Sequence, residues 1–302
     1  MGLCVENSEF ARHLSEYSQK KVFFDRLAGN NGDRLITMGA EIALERAQVV
    51  LTDSPSTADL ILLNGGGAMN DFWGGGIARV EFYGEAYPNK PLTIAPSSFL
   101  LQSPRLKDAL SGRKHRVTVF CRERASLQHL SEVGVSQQAH LRLSPDLAFE
   151  LAGTKFLAEL RARRSDEHVL VAMRKDREGA AGVLAKTRGT WLPRRIRRPL
   201  SRFRDLLVAS RSRAPLDAVF SAERIGQEMP KIFRDVSVSV DFEEFLDLVA
   251  RSRVILTDRL HVAILGRLLD KPVRLFPGSY HKIRGVFEYS LSDQESRVEL
   301  ML

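Results

Sequence analysis

The chain has 302 residues, 44% of them hydrophobic and 27% charged, with 21 Gly and 12 Pro. Its length exceeds the ~100–200 residues of one domain, and its make-up excludes a fibrous or largely disordered chain. The net charge of +8 is local: from Lys186 to Arg213 ten basic residues face Asp205 alone, a net +9, which leaves −1 for all the rest.

No apolar run approaches the ~20 residues needed to span a bilayer. The opening residues, MGLCVENSEF, lack the apolar core of a signal peptide, and Glu6 breaks the N-myristoylation pattern. Cys4 and Cys121 are the only cysteines. Neither a disulfide framework nor a cysteine zinc site is expected, and a reducing cytoplasm is the expected location.

Short β-branched or aromatic runs alternate with amphipathic segments of helix length, which predicts an α/β fold with mainly parallel sheet. In chain order the predicted strands are Lys21–Leu27, Gln48–Thr52, Asp59–Leu63, Pro91–Ala95 and Arg116–Cys121, with helices over Arg34–Arg46 and Ala125–Val133. The pattern weakens over Leu151–Ser165, read as a hinge. It restarts with strands His168–Met173, Asp235–Val240, Ser252–Thr257 and Pro272–Phe276 and helices Asp241–Arg251 and Arg259–Leu269. Two such series predict two Rossmann-like domains, 1–155 and 156–302, the second carrying the Arg-rich insertion 186–213.

Ligands of these folds collect at the carboxyl ends of strands, and the loops there carry unusual residues. In Gly29-Asn30-Asn31-Gly32-Asp33 the glycines admit a ligand to the backbone, and Asp33 either caps the following helix or faces that ligand. Asn64-Gly65-Gly66-Gly67 follows an apolar strand and matches neither a dinucleotide fingerprint nor a phosphate loop, so alone it reads as a turn. Arg122 and Glu123 follow the fifth strand, as an anion site or an internal ion pair. Asp146, after Pro145, caps a turn or orients a hydroxyl. Arg174 is the first residue beyond His168–Met173, where a guanidinium can grip phosphate or carboxylate bidentately. Thr257-Asp258-Arg259-Leu260-His261 sets two basic side chains at a helix amino terminus, a favourable place for an anion. No third metal ligand has suggestive spacing beside Asp258 and His261, so no metal is expected. Lys282 and Arg284 add charge in the last loop, where Tyr280 or His281 could stack on a sugar.

In this order the motifs resemble the polysaccharide pyruvyl transferase family over nearly the whole chain. The matching residues are Gly29–Asp33, Asn64–Gly67, Arg122-Glu123 with Ser126, Pro145-Asp146 with Ala148-Phe149, Arg174 with Asp176 and Glu178, Asp258–His261, and Tyr280 with Lys282. The Arg-Leu-His run and the Tyr-x-Lys segment are the most specific. The resemblance implies a GT-B-like architecture with the active site between the domains. It also implies transfer of the enolpyruvyl group of phosphoenolpyruvate, as co-substrate and without a cofactor, to a hexose diol of an exopolysaccharide or cell-wall saccharide, often lipid-linked. It places the donor on Arg174, Arg259, Leu260, His261 and Lys282. The acceptor is expected on Asn31, Asp33, Asn64, Gly65, Gly66, Gly67, Arg122 and Glu123. His261 is assigned as phosphate ligand and general acid, and Asp33 or Asp146 as acceptor-side base.

Residues 186–213 depart from the plain family pattern. Their basic and apolar side chains could lie on an anionic inner leaflet, at about 1 kcal/mol per basic residue, or form a solvated loop. Two other readings remain: a GT-B nucleotide-sugar glycosyltransferase, and a basic protein binding nucleic acid or a membrane surface. Nucleic acid is not expected, because that reading leaves the cleft residues unexplained.

Overall fold

The computed structural model describes residues 8–71, 73–163, 166–174, 220–221, 225–226 and 228–301. The Arg-rich segment 186–213, and with it the expected membrane-facing surface, lies outside them, as do Asp176 and Glu178. Among the described residues no helix is long and apolar enough to cross a membrane.

The first half of the chain runs α1 (Glu9–Ser15), β1 (Lys21–Asp25), α2 (Asn31–Arg46), β2 (Val50–Leu51), β3 (Leu60–Leu63), α3 (Gly75–Ala86), β4 (Leu92–Ser97), α4 (Arg105–Ser111), β5 (Val117–Cys121), α5 (Arg124–Glu132) and β6 (Ala139–Leu143). The second runs α6 (Lys155–Ala162), β7 (His168–Ala172), β8 (Lys231–Phe233), α7 (Phe242–Ala250), β9 (Ser252–Thr257), α8 (Leu260–Leu268), β10 (Val273–Leu275), α9 (Lys282–Val286) and β11 (Val298–Leu300). They form two sheets, ordered β2-β1-β3-β4-β5-β6 and β11-β10-β9-β7-β8. Every pairing is parallel. This is an α/β fold consistent with two Rossmann-like units. In each sheet the first strand has its second strand on one side and its third on the other. Winding therefore reverses between β1 and β3 and again between β7 and β9, the points where such sheets open a crevice at their carboxyl ends.

The residue pattern explains the elements. β3, β4, β5 and β7 are buried at every position, as parallel strands covered on both faces must be, and they read as mainly apolar runs. α2 starts on a capping box: the Asn30 side chain accepts from the Gly32 N–H and the Asp33 carboxylate from the Asn30 N–H. Its apolar stripe, Leu35, Ile36, Ala40, Ala43 and Leu44, is buried. α8 is buried almost all round, with Leu260, Val262, Ala263, Ile264, Leu265 and Leu268 inside. One apolar core holds Leu35, Ala148 and Phe149 from the first half together with Leu260, Ile264 and Phe245 from the second.

α2 lies against the short turn of helix Leu147–Leu151, so closely that a methyl group at Gly39 would sit 1.8 Å from the Leu147 carbonyl oxygen. Gly39→Ala should therefore destabilise by about 1–3 kcal/mol through overpacking. In an uncrowded helix the same change would stabilise by about 1 kcal/mol, so the sign of the shift in urea midpoint checks the contact.

The expected strand at Asp235–Val240 is instead a series of turns, with the N–H groups of Val238 and Ser239 both donating to the Asp235 carbonyl. Its alternating valines imitate a strand, but Val236 is buried while Val238 is 62% exposed. The edge strand β8 precedes it. The segment read as a hinge contains α6, capped by the Thr154 hydroxyl and held by buried Leu157 and Leu160.

Candidate functional site

A cavity of about 460 Å³ is lined from both sheets by residues that follow their strands. Beyond β1 come Leu27 to Asn30 and Asp33, beyond β3 Asn64, Gly65, Gly67 and Ala68, and beyond β5 Arg122. The second sheet contributes Arg174 beyond β7, Arg259, Leu260 and His261 beyond β9, and Lys282 beyond β10. Both winding reversals thus open on one space, which is why loops far apart in sequence meet there.

His261 stands at the start of α8, its side chain 12% exposed. Its Nε2 lies 3.3 Å from Asp146 Oδ2 and 3.3 Å from Arg122 Nη1. On the other side of the ring a methyl group at Gly32 would come within 2.5 Å of Nδ1. Asp146 is fully buried. It accepts from Arg122 Nη1 at 2.5 Å and, through Oδ1, from the Ala148 N–H at 2.9 Å, so it caps the turn Leu147–Leu151. Burial pushes the Asp146 carboxyl up, but His261 and the Arg122 guanidinium outweigh burial and hold it well below the usual carboxylate range. Burial likewise pulls the Arg122 guanidinium down, and the Asp146 and Glu123 carboxylates more than restore it.

Arg122 is 1% exposed, yet it reaches the cavity. Its Nε donates to the Ser98 hydroxyl at 2.8 Å, which in turn donates to Glu123 Oε2 at 3.0 Å. Glu123 also accepts from the Ser126 hydroxyl. Gly67 explains the glycine run: a side chain there would start 3.7 Å from both Arg122 Nη2 and Lys282 Nζ. Arg122 Nη2 and Lys282 Nζ thus both approach the same side of Gly67. Gly66 before it has φ +132°, which disfavours any L side chain. The buried Lys282 also lies 5.1 Å from the centre of the Tyr280 ring.

Arg259 is held by Asp235, which accepts from Nε at 2.8 Å and also from Nη2. The Arg174 N–H donates to Asp258 Oδ1 at 2.7 Å, so Asp258 sets the course of the chain as it leaves β7. Four basic side chains, Arg122, Arg174, Arg259 and Lys282, therefore line the cavity with one carboxylate, Asp33, while Asp146 and Asp235 pair with Arg122 and Arg259 from behind the lining. Among the described residues no three His, Cys, Asp or Glu side chains gather as a metal site.

Several expected residues are placed elsewhere. Asn31 does not line the cavity: its Nδ2 donates to the carbonyls of Val236 and Val240 at 3.0 Å each, joining the two halves. Glu123 and Asp146 stand behind Arg122, and Gly66 is turned away between Ile36 and the Pro96 carbonyl. Asn64 lines the cavity, but its amide donates to the Arg26 carbonyl and the Thr37 hydroxyl, both at 2.9 Å. Tyr280, His281 and Arg284 are not among the lining residues. Sequence reasoning missed Trp73, Ser237 and Val238 in the lining, and Asp235 behind it. The run Trp73-Gly74-Gly75-Gly76 was the available signal for the first.

The family model for polysaccharide pyruvyl transferase matches residues 5–280. No curated protein matches the chain. Among solved structures it is similar to the functionally uncharacterised protein KP1_0663 of Klebsiella pneumoniae, at 18% identity and a TM-score of 0.65 over 97% of each chain. That likeness shows the fold.

Proposed function

The chain belongs to the polysaccharide pyruvyl transferase family, and on that premise we propose that it forms a cyclic pyruvate ketal on a hexose of a polysaccharide under synthesis, with phosphoenolpyruvate as donor. In this reading the cavity is the cleft of a GT-B-like enzyme, with residues 1–155 on the acceptor side and 156–302 on the donor side. The observation that carries it is the convergence of four basic side chains, Arg122, Arg174, Arg259 and Lys282, on one cavity. Phosphoenolpyruvate is a compact trianion, and convergent guanidinium and ammonium groups beside a helix amino terminus suit its phosphate and carboxylate. Arg122 and Lys282, facing each other's space over Gly67, and Arg174 grip the anion. Asp235 keeps the Arg259 fork aimed.

The chemistry then follows from named groups. His261 gives a proton to the methylene carbon, and the carbon bearing the phosphate oxygen becomes an oxygen-stabilised cation. A hexose hydroxyl adds to that carbon as Asp33 takes its proton. Phosphate leaves, and the second hydroxyl adds to the cation that results. Of the two hydroxyl protons, one balances the proton now in the methyl group and the other departs with phosphate. Asp146 is a positioning residue here, because it touches His261 and lies outside the cavity lining.

Calorimetry with phosphoenolpyruvate, with uridine and guanosine diphosphates as controls, tests the donor. The wild type should bind phosphoenolpyruvate, and Lys282→Met should weaken it about 10- to 150-fold, the worth of one charge-assisted hydrogen bond. Binding of a nucleoside diphosphate without phosphoenolpyruvate would overturn the reading in favour of a nucleotide-sugar glycosyltransferase.

A further inference from the structure

Of the large apolar side chains exposed among the described residues, two line the cavity: Trp73, 57% exposed, and Val238. An indole held in water forfeits the burial that normally stabilises it, and this one is not on a loose loop. The fully buried Asn70 braces it from behind, its Nδ2 donating to the Gly67 carbonyl at 2.7 Å and its Oδ1 accepting from the Trp73 N–H at 3.0 Å. The Asn70 carbonyl also accepts from the Gly74 N–H at 3.0 Å. One side chain therefore fixes the backbone of Trp73 to Gly67, the residue over which Arg122 and Lys282 converge.

Beside the indole the wall is bare. Gly75 lines the cavity, and a methyl group added there would meet nothing within 4 Å. The sequence thus sets a braced, exposed aromatic next to open space, at a fixed offset from the cationic end of the same cavity. Asp33 and Asn30, from the same half of the chain, supply acceptors and donors on the lining.

We propose that Trp73 is the platform on which the acceptor's pyranose ring stacks, with the ring's C–H face against the indole and its hydroxyls turned toward Asp33 and the donor. The inference deepens the pyruvyl transferase reading and rests on it for the identity of the acceptor as a saccharide. The physics is general. An indole face carries the negative side of the ring quadrupole, and the axial C–H groups of a pyranose present a weakly positive, apolar face to it. Gly75 leaves room for the ring, and the brace through Asn70 fixes the backbone that carries the indole, so less has to be ordered on binding.

The test uses the full chain as wild type, W73F, W73L and W73A on an array of immobilised glycans ending in gluco-, galacto- and mannopyranose, with phosphoenolpyruvate present. Donor affinity of each is measured separately by calorimetry. Wild type should bind a subset of the glycans, W73F should keep that binding within about threefold, and W73A and W73L should lose about tenfold or more. Leucine keeps apolar bulk without a π-face, so W73L separates stacking from burial. Phosphoenolpyruvate affinity should be unchanged in all four, which also reports that each variant is folded. Glycan binding by W73A or W73L equal to wild type overturns the platform, as does wild-type binding of phosphoenolpyruvate with no glycan at all. Trp73-dependent glycan binding without phosphoenolpyruvate binding would support the platform and remove the donor assignment instead.

Discussion

His261→Gln should lower turnover about 10²- to 10⁴-fold, the usual worth of a positioned general acid, and should shift phosphoenolpyruvate affinity far less. The expectation rests on how the ring is held. Asp146 faces Nε2 and is itself fixed by the Ala148 N–H, so the ring has one orientation. A carboxylate on one ring nitrogen leaves the other to exchange the proton, the division of labour of a catalytic dyad. Here the other nitrogen is Nδ1, beside which only a glycine fits: a methyl group at Gly32 would sit 2.5 Å from it. Affinity survives because charge on the donor is met by Arg122, Arg174, Arg259 and Lys282, which the substitution leaves in place. Phosphate release in steady state, set beside calorimetry, separates the two effects. If affinity collapses while the maximal rate holds, His261 is a ligand of the phosphate and the acid must be sought elsewhere.

Arg122→Met should cost about 3–5 kcal/mol of stability, because it takes the guanidinium partner from the fully buried Asp146. A surface ion pair such as Arg105–Glu81 should lose far less on the same treatment. Urea denaturation at neutral pH reads the difference. The Asp146 carboxyl also ties stability to pH. Its ordinary value is 3.8, and in the folded protein it is held well below that, with burial opposing and His261 and Arg122 prevailing. A carboxylate depressed by folding contributes stability that is complete above its unfolded value and is lost as pH falls through its folded value. The contribution is therefore whole at pH 7 and fades below about pH 4. In Asp146→Asn it is missing throughout, so the gap between that variant and wild type should narrow as pH falls through that window. A gap that stayed constant into acid would mean that the pair contributes packing and not charge.

The strands of both sheets were legible in the sequence to the extent that they are buried on two faces. Leu60–Leu63 and His168–Ala172 announce themselves as apolar runs. β6 and β11 do not, because β6 lies at a sheet edge with only Ala139 buried and β11 spans only Val298–Leu300. Val236, Val238 and Val240 show the converse failure: a period of two arose from turns that a tertiary contact with Asn31 holds in place. For the cavity, residues directly after strands were readable from position alone, as Arg122, Arg174 and Arg259 illustrate. What sequence could not give was depth. Asp146 and Glu123 have the chemistry of acceptor-binding groups, but both lie behind the guanidinium of Arg122. Only packing decides which member of an ion pair faces the ligand. Asn31 was misplaced for a related reason, since its partners lie some two hundred positions away in sequence.

The grip of α2 on the second half of the chain bears on how the enzyme breathes. Swinging one sheet away from the other would pull Asn31 off two carbonyls, lift Arg34 from the Phe242 ring that it covers at 4.0 Å, and draw Leu35 out of the core it shares with Leu260. All three contacts sit within the first turns of one helix, next to Gly32 and His261, so any clamshell motion would dismantle the reacting geometry first. Opening the sheets would therefore cost these contacts, while Trp73 and Val238, both exposed, mark where the cavity meets solvent. In a cavity held this way, selectivity would rest on a preformed aperture rather than on closure around the substrate.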